Sequence, residues 1–190
     1  MGVFSGDVIA AMARAPRVVG RFIAARDQRL MRRVHCWRPP RWLRLWMLCA
    51  TRGGDGWLWY ATGACMLVFG GPRGRAAAGA AAVACGTGIA VFLWLKRLCN
   101  RARPCAIQPH CWADLLPPDQ FSFPSGHSIT AFAFAAAAGA MIPALAPALL
   151  FCAVSVAMSR ILLGMHFLSD VMAGALIGAA IGWSVAALLF

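Results

Sequence analysis

Three short polar segments of this 190-residue chain carry residue types that handle phosphate. The first is Lys96 with Arg103-Pro104, the second Pro124-Ser125-Gly126-His127, and the third Ser159-Arg160 with His166 and Asp170. They hold the only lysine and two of the 4 histidines, and each lies at the end of a long apolar run. A phosphoester carries its charge on peripheral oxygens. Hydrolysis therefore needs cations and N–H donors around those oxygens, an in-line nucleophile, and an acid for the leaving oxygen. Lys96, Arg103 and Arg160 supply the cations, arginine as a planar fork and lysine as a point charge. Ser125 and Gly126 stand where a helix should begin, where free N–H groups face an anion and glycine allows close approach. His166 and Asp170 are four residues apart, so the spacing predicts a shared helix face. A carboxylate on one ring nitrogen would fix the tautomer and leave the other nitrogen free to attack phosphorus. His127 is the candidate acid. Taken singly, each feature has an ordinary explanation: a helix cap, an interfacial anchor, a structural hydrogen bond. Together, ordered and at membrane depth, they point to a site.

The elements that must hold these residues are apolar. The chain is 61% hydrophobic, has a mean hydropathy of +0.70, and contains no glutamate. Such a chain cannot cover a soluble globule with polar surface, so it belongs in a membrane. The net charge of +12 is uneven: eleven of the 18 basic residues fall within positions 1–52, beside only Asp7 and Asp27. Next to so apolar a body, this arm suits anionic lipid headgroups better than nucleic acid. No Cys-x-x-Cys pair occurs among the 8 cysteines, which argues against a zinc site. Cys105 and Cys111 share one polar loop and could pair in an oxidising compartment. The first 30 residues show no cleavable leader pattern.

The expected fold class is all-α: a polytopic membrane helical bundle of five or six spans with a basic interfacial N-terminal helix. Residues 1–52 form the basic arm and residues 53–190 the membrane-embedded domain. A helix is expected over residues 8–34, then a break at Pro39-Pro40, a short apolar stretch from Trp42 to Ala50, and a turn over Thr51–Gly56. Spans are expected over Trp57–Gly71 and Ala76–Leu95, separated by a basic turn at Arg73-Gly74-Arg75. The charge-free run from Ser128 to Ser159 is too long for one span, and Pro143 and Pro147 divide it. The last span, Val171–Phe190, carries Gly174, Gly178 and Gly182, a stripe that permits close helix contact. Alternation of spans places the three polar segments on one membrane face.

The segments Lys96-x6-Arg103-Pro104, Pro124-Ser125-Gly126-His127 and Ser159-Arg160-x5-His166-x3-Asp170 resemble the three-part signature of the type 2 phosphatidic acid phosphatase superfamily. The resemblance implies a helical bundle, a phosphohistidine intermediate, and no metal or other cofactor. Carried over by position, it makes His166 the nucleophile, Asp170 its orienting partner and His127 the general acid. Lys96, Arg103, Ser125, Gly126 and Arg160 would bind the phosphate. The implied activity is hydrolysis of a lipid phosphate, with a polyprenyl phosphate or pyrophosphate favoured in a bacterial inner membrane. Phosphatidate or phosphatidylglycerophosphate, or phosphoryl transfer to a second lipid, are the alternatives. The family pattern implies six spans and an outward-facing site. The arginines at 38, 41 and 44, each costing ~2.5–3.5 kcal/mol at the bilayer centre, favour five.

Overall fold

The computed structural model describes residues 22–34, 36–107 and 121–189. Residues 22–34 are helical and are called α1. There follow α2 (Arg41–Arg52), a π-helical turn (Gly53–Trp57), α3 (Leu58–Phe69), α4 (Gly71–Cys99), the short α5 (Pro104–Ile107), α6 (Gly126–Met141), a 3-10 turn (Pro143–Leu145), α7 (Ala146–Leu162) and α8 (Leu168–Leu189). Among the described residues no strand forms, only an isolated antiparallel bridge between Ala102 and Phe121. The expected helix over 8–34 is thus seen from residue 22 onward; its first part, and Cys111, lie outside the described residues.

Among the described residues, three helical stretches are long and apolar enough to cross a bilayer: Gly71–Cys99, Pro143–Leu162 and Leu168–Leu189. Their outer faces expose Leu93, Trp94, Phe151, Leu176, Trp183 and Leu188. A chain in water does not display such a continuous apolar exterior, so the protein is an integral membrane protein. The 16 residues of α6 rise only ~24 Å. This helix is the axle of the bundle, and α4, α7 and α8 all pack on it.

Small residues set that packing. A Cβ on Gly178 would stand 2.2 Å from the Ile129 carbonyl oxygen, and one on Gly182 would stand 2.3 Å from that of Ala133. The glycine stripe of α8 therefore lies directly on the α6 backbone, as the spacing predicts. Ala77, Ala80, Ala81 and Ala84 of α4 are buried in the same core, with Ala133, Ala137 and Ala138 of α6. Trp59 turns inward and sits 5.1 Å from the Phe134 ring, whereas Trp57 and Tyr60 face outward as an interfacial belt would.

Two local expectations differ. The break expected over residues 51–56 is shorter than that: Thr51 and Arg52 still belong to α2, and the chain kinks between α2 and α3 at Gly56, which leaves helical backbone at a φ of 126° open to glycine. Arg73-Gly74-Arg75 is the first turn of α4. Pro72 starts the helix early, and Arg73 Nε donates to the Met141 carbonyl at 2.8 Å, closing the C-terminal end of α6. The hairpin near Pro143 is where the prolines predict it.

Candidate active site

The end of α4, the start of α6, the end of α7 and the start of α8 meet at one end of the bundle. The local chain explains how. Helix α7 stops at Leu162, and Gly164 adopts a left-handed φ of 68° just beyond it. The chain doubles back, so the amides of Met165 and His166 both donate to the Arg160 carbonyl at 3.0 Å. The five-residue gap in Ser159-Arg160-x5-His166 is thus the length of a helix stop and reversal. It brings His166 back over Arg160, which is a structural use of spacing rather than a chemical one. Arg160 and His166 are both buried.

His166 therefore precedes α8 and does not share a helix face with Asp170. Asp170 sits in the first turn of α8, and its Oδ2 accepts the Phe167 N–H at 2.8 Å, a capping-box contact. Its Oδ2 is 3.8 Å from His166 Nδ1, close enough to act by charge but too far for a hydrogen bond. The direct partner of Nδ1 is the Ser122 carbonyl oxygen at 2.6 Å. That carbonyl is positioned by the pairing of residues 101–102 with 121–122. Ser122 N donates to the Arg101 carbonyl at 2.7 Å, and Ser122 Oγ donates to the Ala102 carbonyl at 3.1 Å.

The other ring nitrogen faces a cation. Arg103 Nη1 lies 3.1 Å from His166 Nε2 and also donates to the Met165 carbonyl at 2.8 Å. A carbonyl can only accept and a guanidinium can only donate, so the network puts the proton on Nδ1 and the lone pair on Nε2. Burial first, then the charges of Arg103, Arg160 and Lys96, holds the His166 imidazole well below its ordinary range, against the opposing pull of the Ser122 carbonyl. The ring is neutral at neutral pH, as a nitrogen nucleophile requires.

Lys96 and Arg160 act electrostatically on both His127 and His166, so the two cations lie near both rings. Lys96 Nζ rests 5.2 Å from the Phe92 ring centroid, and Arg160 Nη1 donates to Thr51 Oγ1. His127 Nε2 donates to Asp55 Oδ1 at 2.7 Å, reaching from α6 to the π turn. Ser125 is the N-cap of α6: its Oγ accepts from the Ser128 amide at 3.4 Å and from the Ser128 hydroxyl at 3.0 Å. Its own N–H donates to the Asp170 carbonyl at 3.1 Å, tying the start of α6 to α8. In the first turn the amides of Gly126 and His127 have no intrahelical acceptor, which leaves them for an anion. A Cβ on Gly126 would meet the Phe92 ring at 3.3 Å.

All eight sequence-derived residues are thus at one end of the bundle, though the two histidines make no direct contact. Four partners were not foreseen. Asp55, flanked by glycines, and Asp27, an acid among arginines, were visible as odd charges. Ser122 contributes a backbone carbonyl and Arg101 an arginine beside the signature, and neither has a readable signal. Arg101 donates to Asp170 Oδ1, Ser169 Oγ and Asp27 Oδ2, each at 2.7 Å.

The chain is 39% identical over 93 residues to the lipid A 1-phosphatase of Rhizobium etli, which covers 47% of this chain and 39% of that protein. It is 38% identical over 93 residues to the decaprenylphosphoryl-5-phosphoribose phosphatase of Mycobacterium tuberculosis, covering 49% of this chain and 50% of that protein. The chain spans about two fifths to one half of the length of the curated relatives it matches. The fold is similar to the crystal structure of a transmembrane PAP2-type phosphatidylglycerolphosphate phosphatase from Bacillus subtilis, with a TM-score of 0.68 and 26% identity over 95% of this chain and 90% of that one. It is also similar to LpxE of Aquifex aeolicus, with a TM-score of 0.66 and 25% identity over 83% of this chain and 92% of that one. The sequence profile of the PAP2 superfamily matches residues 77–190, the stretch that carries all three polar segments, and the chain belongs to that superfamily.

Proposed function

We propose that this protein is a membrane lipid phosphatase that cleaves a phosphate monoester or pyrophosphate from a lipid carrier through a phosphohistidine. The observation that carries the reading is His166, neutral and buried, with Nδ1–H on the Ser122 carbonyl and the Nε2 lone pair toward Arg103. In the first step Nε2 attacks phosphorus in line, the N–P bond forms, and the bond from phosphorus to the leaving oxygen breaks. His127, entering the step as an imidazolium with its Nε2–H held by Asp55, gives its Nδ1 proton to that oxygen and becomes neutral. The resulting imidazolium keeps its Nδ1–H on Ser122 and is steadied by the Asp170 charge at 3.8 Å. In the second step water attacks phosphorus, gives a proton to His127, and returns the electron pair to Nε2. Lys96, Arg103, Arg160 and the first amides of α6 hold the three peripheral oxygens throughout. Among the described residues, the carboxylates beside the histidines, Asp170 and Asp55, are engaged by Arg101 and His127, which supports a metal-independent reaction.

A lipid substrate is supported by an apolar groove of about 620 Å³ between α3, α4 and α6. It is lined by small residues such as Gly63, Ala64, Gly79, Ala82 and Gly86, and it opens beside Asp55. A tail lying there would bring its phosphate end to His127. A polyprenyl phosphate is the favoured substrate, supported by the decaprenyl chain in the name of the mycobacterial relative.

The same reading gives the membrane topology. Asp27 of α1 lies 2.7 Å from Arg101 at the site, so the basic arm and the site share a membrane face. The chain then crosses five times, through α3, α4, α6, α7 and α8. Helix α2 carries Arg41, Arg44 and Arg52, which are costly in the hydrocarbon core, whereas α3 carries no charged residue. An arm this rich in arginine belongs on the cytoplasmic face of a bacterial inner membrane.

The test is phosphate release by the purified protein in detergent, from a panel of polyprenyl phosphates and pyrophosphates, phosphatidate and phosphatidylglycerophosphate, with and without EDTA. Release that persists in EDTA and is inhibited by vanadate is expected. Loss of all release in EDTA, restored by magnesium, would count against the mechanism. For topology, the described thiol at Cys105 should resist an impermeant maleimide in intact cells and react in inverted vesicles. Reaction in intact cells would refute the five-crossing arrangement.

A further inference from the structure

We propose that Asp27, Ser169 and Arg101 form a positioning relay that fixes the carboxylate of Asp170, so that the N-terminal helix is part of the catalytic apparatus. The proposal rests on the phosphatase reading of His166 and Asp170, and no part of the family signature includes these three residues.

Asp170 is fully buried, and its two oxygens have different partners. Oδ2 takes the Phe167 amide at 2.8 Å and faces His166, while Oδ1 takes Arg101 Nη1 at 2.7 Å. The Phe167 amide fixes Oδ2, and where Arg101 stands fixes Oδ1, so Arg101 helps set the carboxylate plane that faces His166. Arg101 does not choose that place by itself. It follows α4 in a loop, so the backbone leaves its long side chain several rotamers. Three contacts hold it: Nη2 on Asp27 Oδ2 at 2.7 Å, Nη1 on Ser169 Oγ at 2.7 Å, and its guanidinium 4.3 Å from the Phe167 ring centroid. Asp27 is held in turn, accepting the Ser169 amide at 3.2 Å and the Ser169 hydroxyl at 2.5 Å.

Helix α1 delivers Asp27 by packing. Met31, one turn further along the same face, is buried against Ile161, Phe167 and Val171, which flank the reversal that carries His166. One guanidinium thus joins α1, the loop after α4 and α8, on the side of Asp170 away from the phosphate site. Arg101 is itself only partly exposed, and Asp27 is buried. A buried acid on an otherwise basic interfacial helix is costly unless it is paired, and its partner is the residue that orients Asp170.

The experiment compares Asp27→Asn, Asp27→Glu, Arg101→Gln and Arg101→Lys, in the full chain, with Asp170→Asn alone and with the Asp27→Asn/Asp170→Asn double variant. Initial rates on para-nitrophenyl phosphate and on the best lipid of the panel give kcat and KM. Inhibition by vanadate and by inorganic phosphate reports transition-state-like and ground-state binding separately. A small misplacement of a catalytic group can cost up to about 100-fold, so Asp27→Asn should lower kcat about tenfold with KM within about twofold. Vanadate inhibition should weaken in step while phosphate inhibition stays, and Asp27→Glu and Arg101→Lys should each recover part of the loss. The double variant should be no slower than Asp170→Asn, because the relay acts through Asp170. Additive losses in the double variant, or kcat unchanged in Asp27→Asn, would overturn the relay while leaving the phosphatase reading intact. A wild-type chain that releases no phosphate and binds no vanadate would overturn both. If Arg101→Gln does not fold, the Asp27 pair and Arg101→Lys decide the matter by the same criteria.

Discussion

The two histidines of this site are built differently. His166 has a side chain 2% exposed, sits in a loop that reverses out of α7, and is gripped on one nitrogen by a backbone carbonyl and on the other by Arg103. His127 has a side chain 19% exposed, stands on the first turn of α6, and is tied to one carboxylate on the neighbouring π turn, beside the apolar groove. A nucleophile must meet phosphorus along one line, so fixed geometry and a neutral ring serve it. An acid must follow a leaving oxygen whose lipid has to enter and depart, so an open position and a single tether serve it. The contrast supports the proposed roles without appeal to the signature.

Breaking the buried end should cost most. His166→Ala is expected to lower kcat by about 10⁴-fold or more, as loss of a triad member does. Asp170→Asn should leave more activity, since Ser122 still fixes the tautomer. The open end should cost less and depend on the substrate. His127→Gln is expected to lose about 10²–10³-fold on an alkyl phosphate, within the range of general acid catalysis. The loss should shrink on para-nitrophenyl phosphate, whose leaving group departs without a proton. An equal loss on both substrates would remove His127 from the acid role.

Much of this was legible because charged residues are scarce in a membrane chain. Lys96, Arg103, Arg160, His127 and His166 stand out against apolar runs, and alternation of spans gathers them at one end. The glycine stripe of α8 was readable for the same reason: three small residues at helical spacing mean a close neighbour. What the sequence could not show is backbone geometry. A four-residue spacing reads as one helix face, but Gly164 ends the helix before His166, and the partner of Nδ1 becomes a carbonyl that any residue at position 122 would supply. Asp55 and Asp27 were visible as charges, yet their partners lie 72 and 74 positions away and only the tertiary fold joins them.

Smaller effects sharpen the contrast further. Gly178→Ala puts a methyl 2.2 Å from the Ile129 carbonyl and should destabilise the α6–α8 seam by about 1–3 kcal/mol, read as a lower Tm in detergent. Because α6 carries His127 and α8 follows His166, activity should fall before the fold is lost. The pH dependence of stability should test the neutral state of His166. The folded chain holds His166 neutral, below its unfolded value of about 6.5, so above that pH the residue adds no pH dependence. As pH falls below it, the unfolded chain binds a proton that the folded chain refuses. Stability should then drop by up to ~1.4 kcal/mol per pH unit from this one residue. Thermal unfolding between pH 8 and pH 5 should show a shallower loss in His166→Gln than in the wild type. Parallel curves would mean that His166 is not held neutral.

The most direct measurement is capture of the intermediate. Turnover of a ³²P-labelled lipid phosphate, quenched with base in the steady state, should leave label on the protein that resists alkali and is lost in mild acid, as phosphohistidine is. Peptide mapping should place it on His166, and His166→Ala should carry none; with ³²P-labelled para-nitrophenyl phosphate, whose first step needs no acid, His127→Gln should accumulate more label than the wild type because the second step lacks its base. Label on any other residue, or full turnover with no protein-bound label in a His127→Gln background, would contradict His166 as the nucleophile.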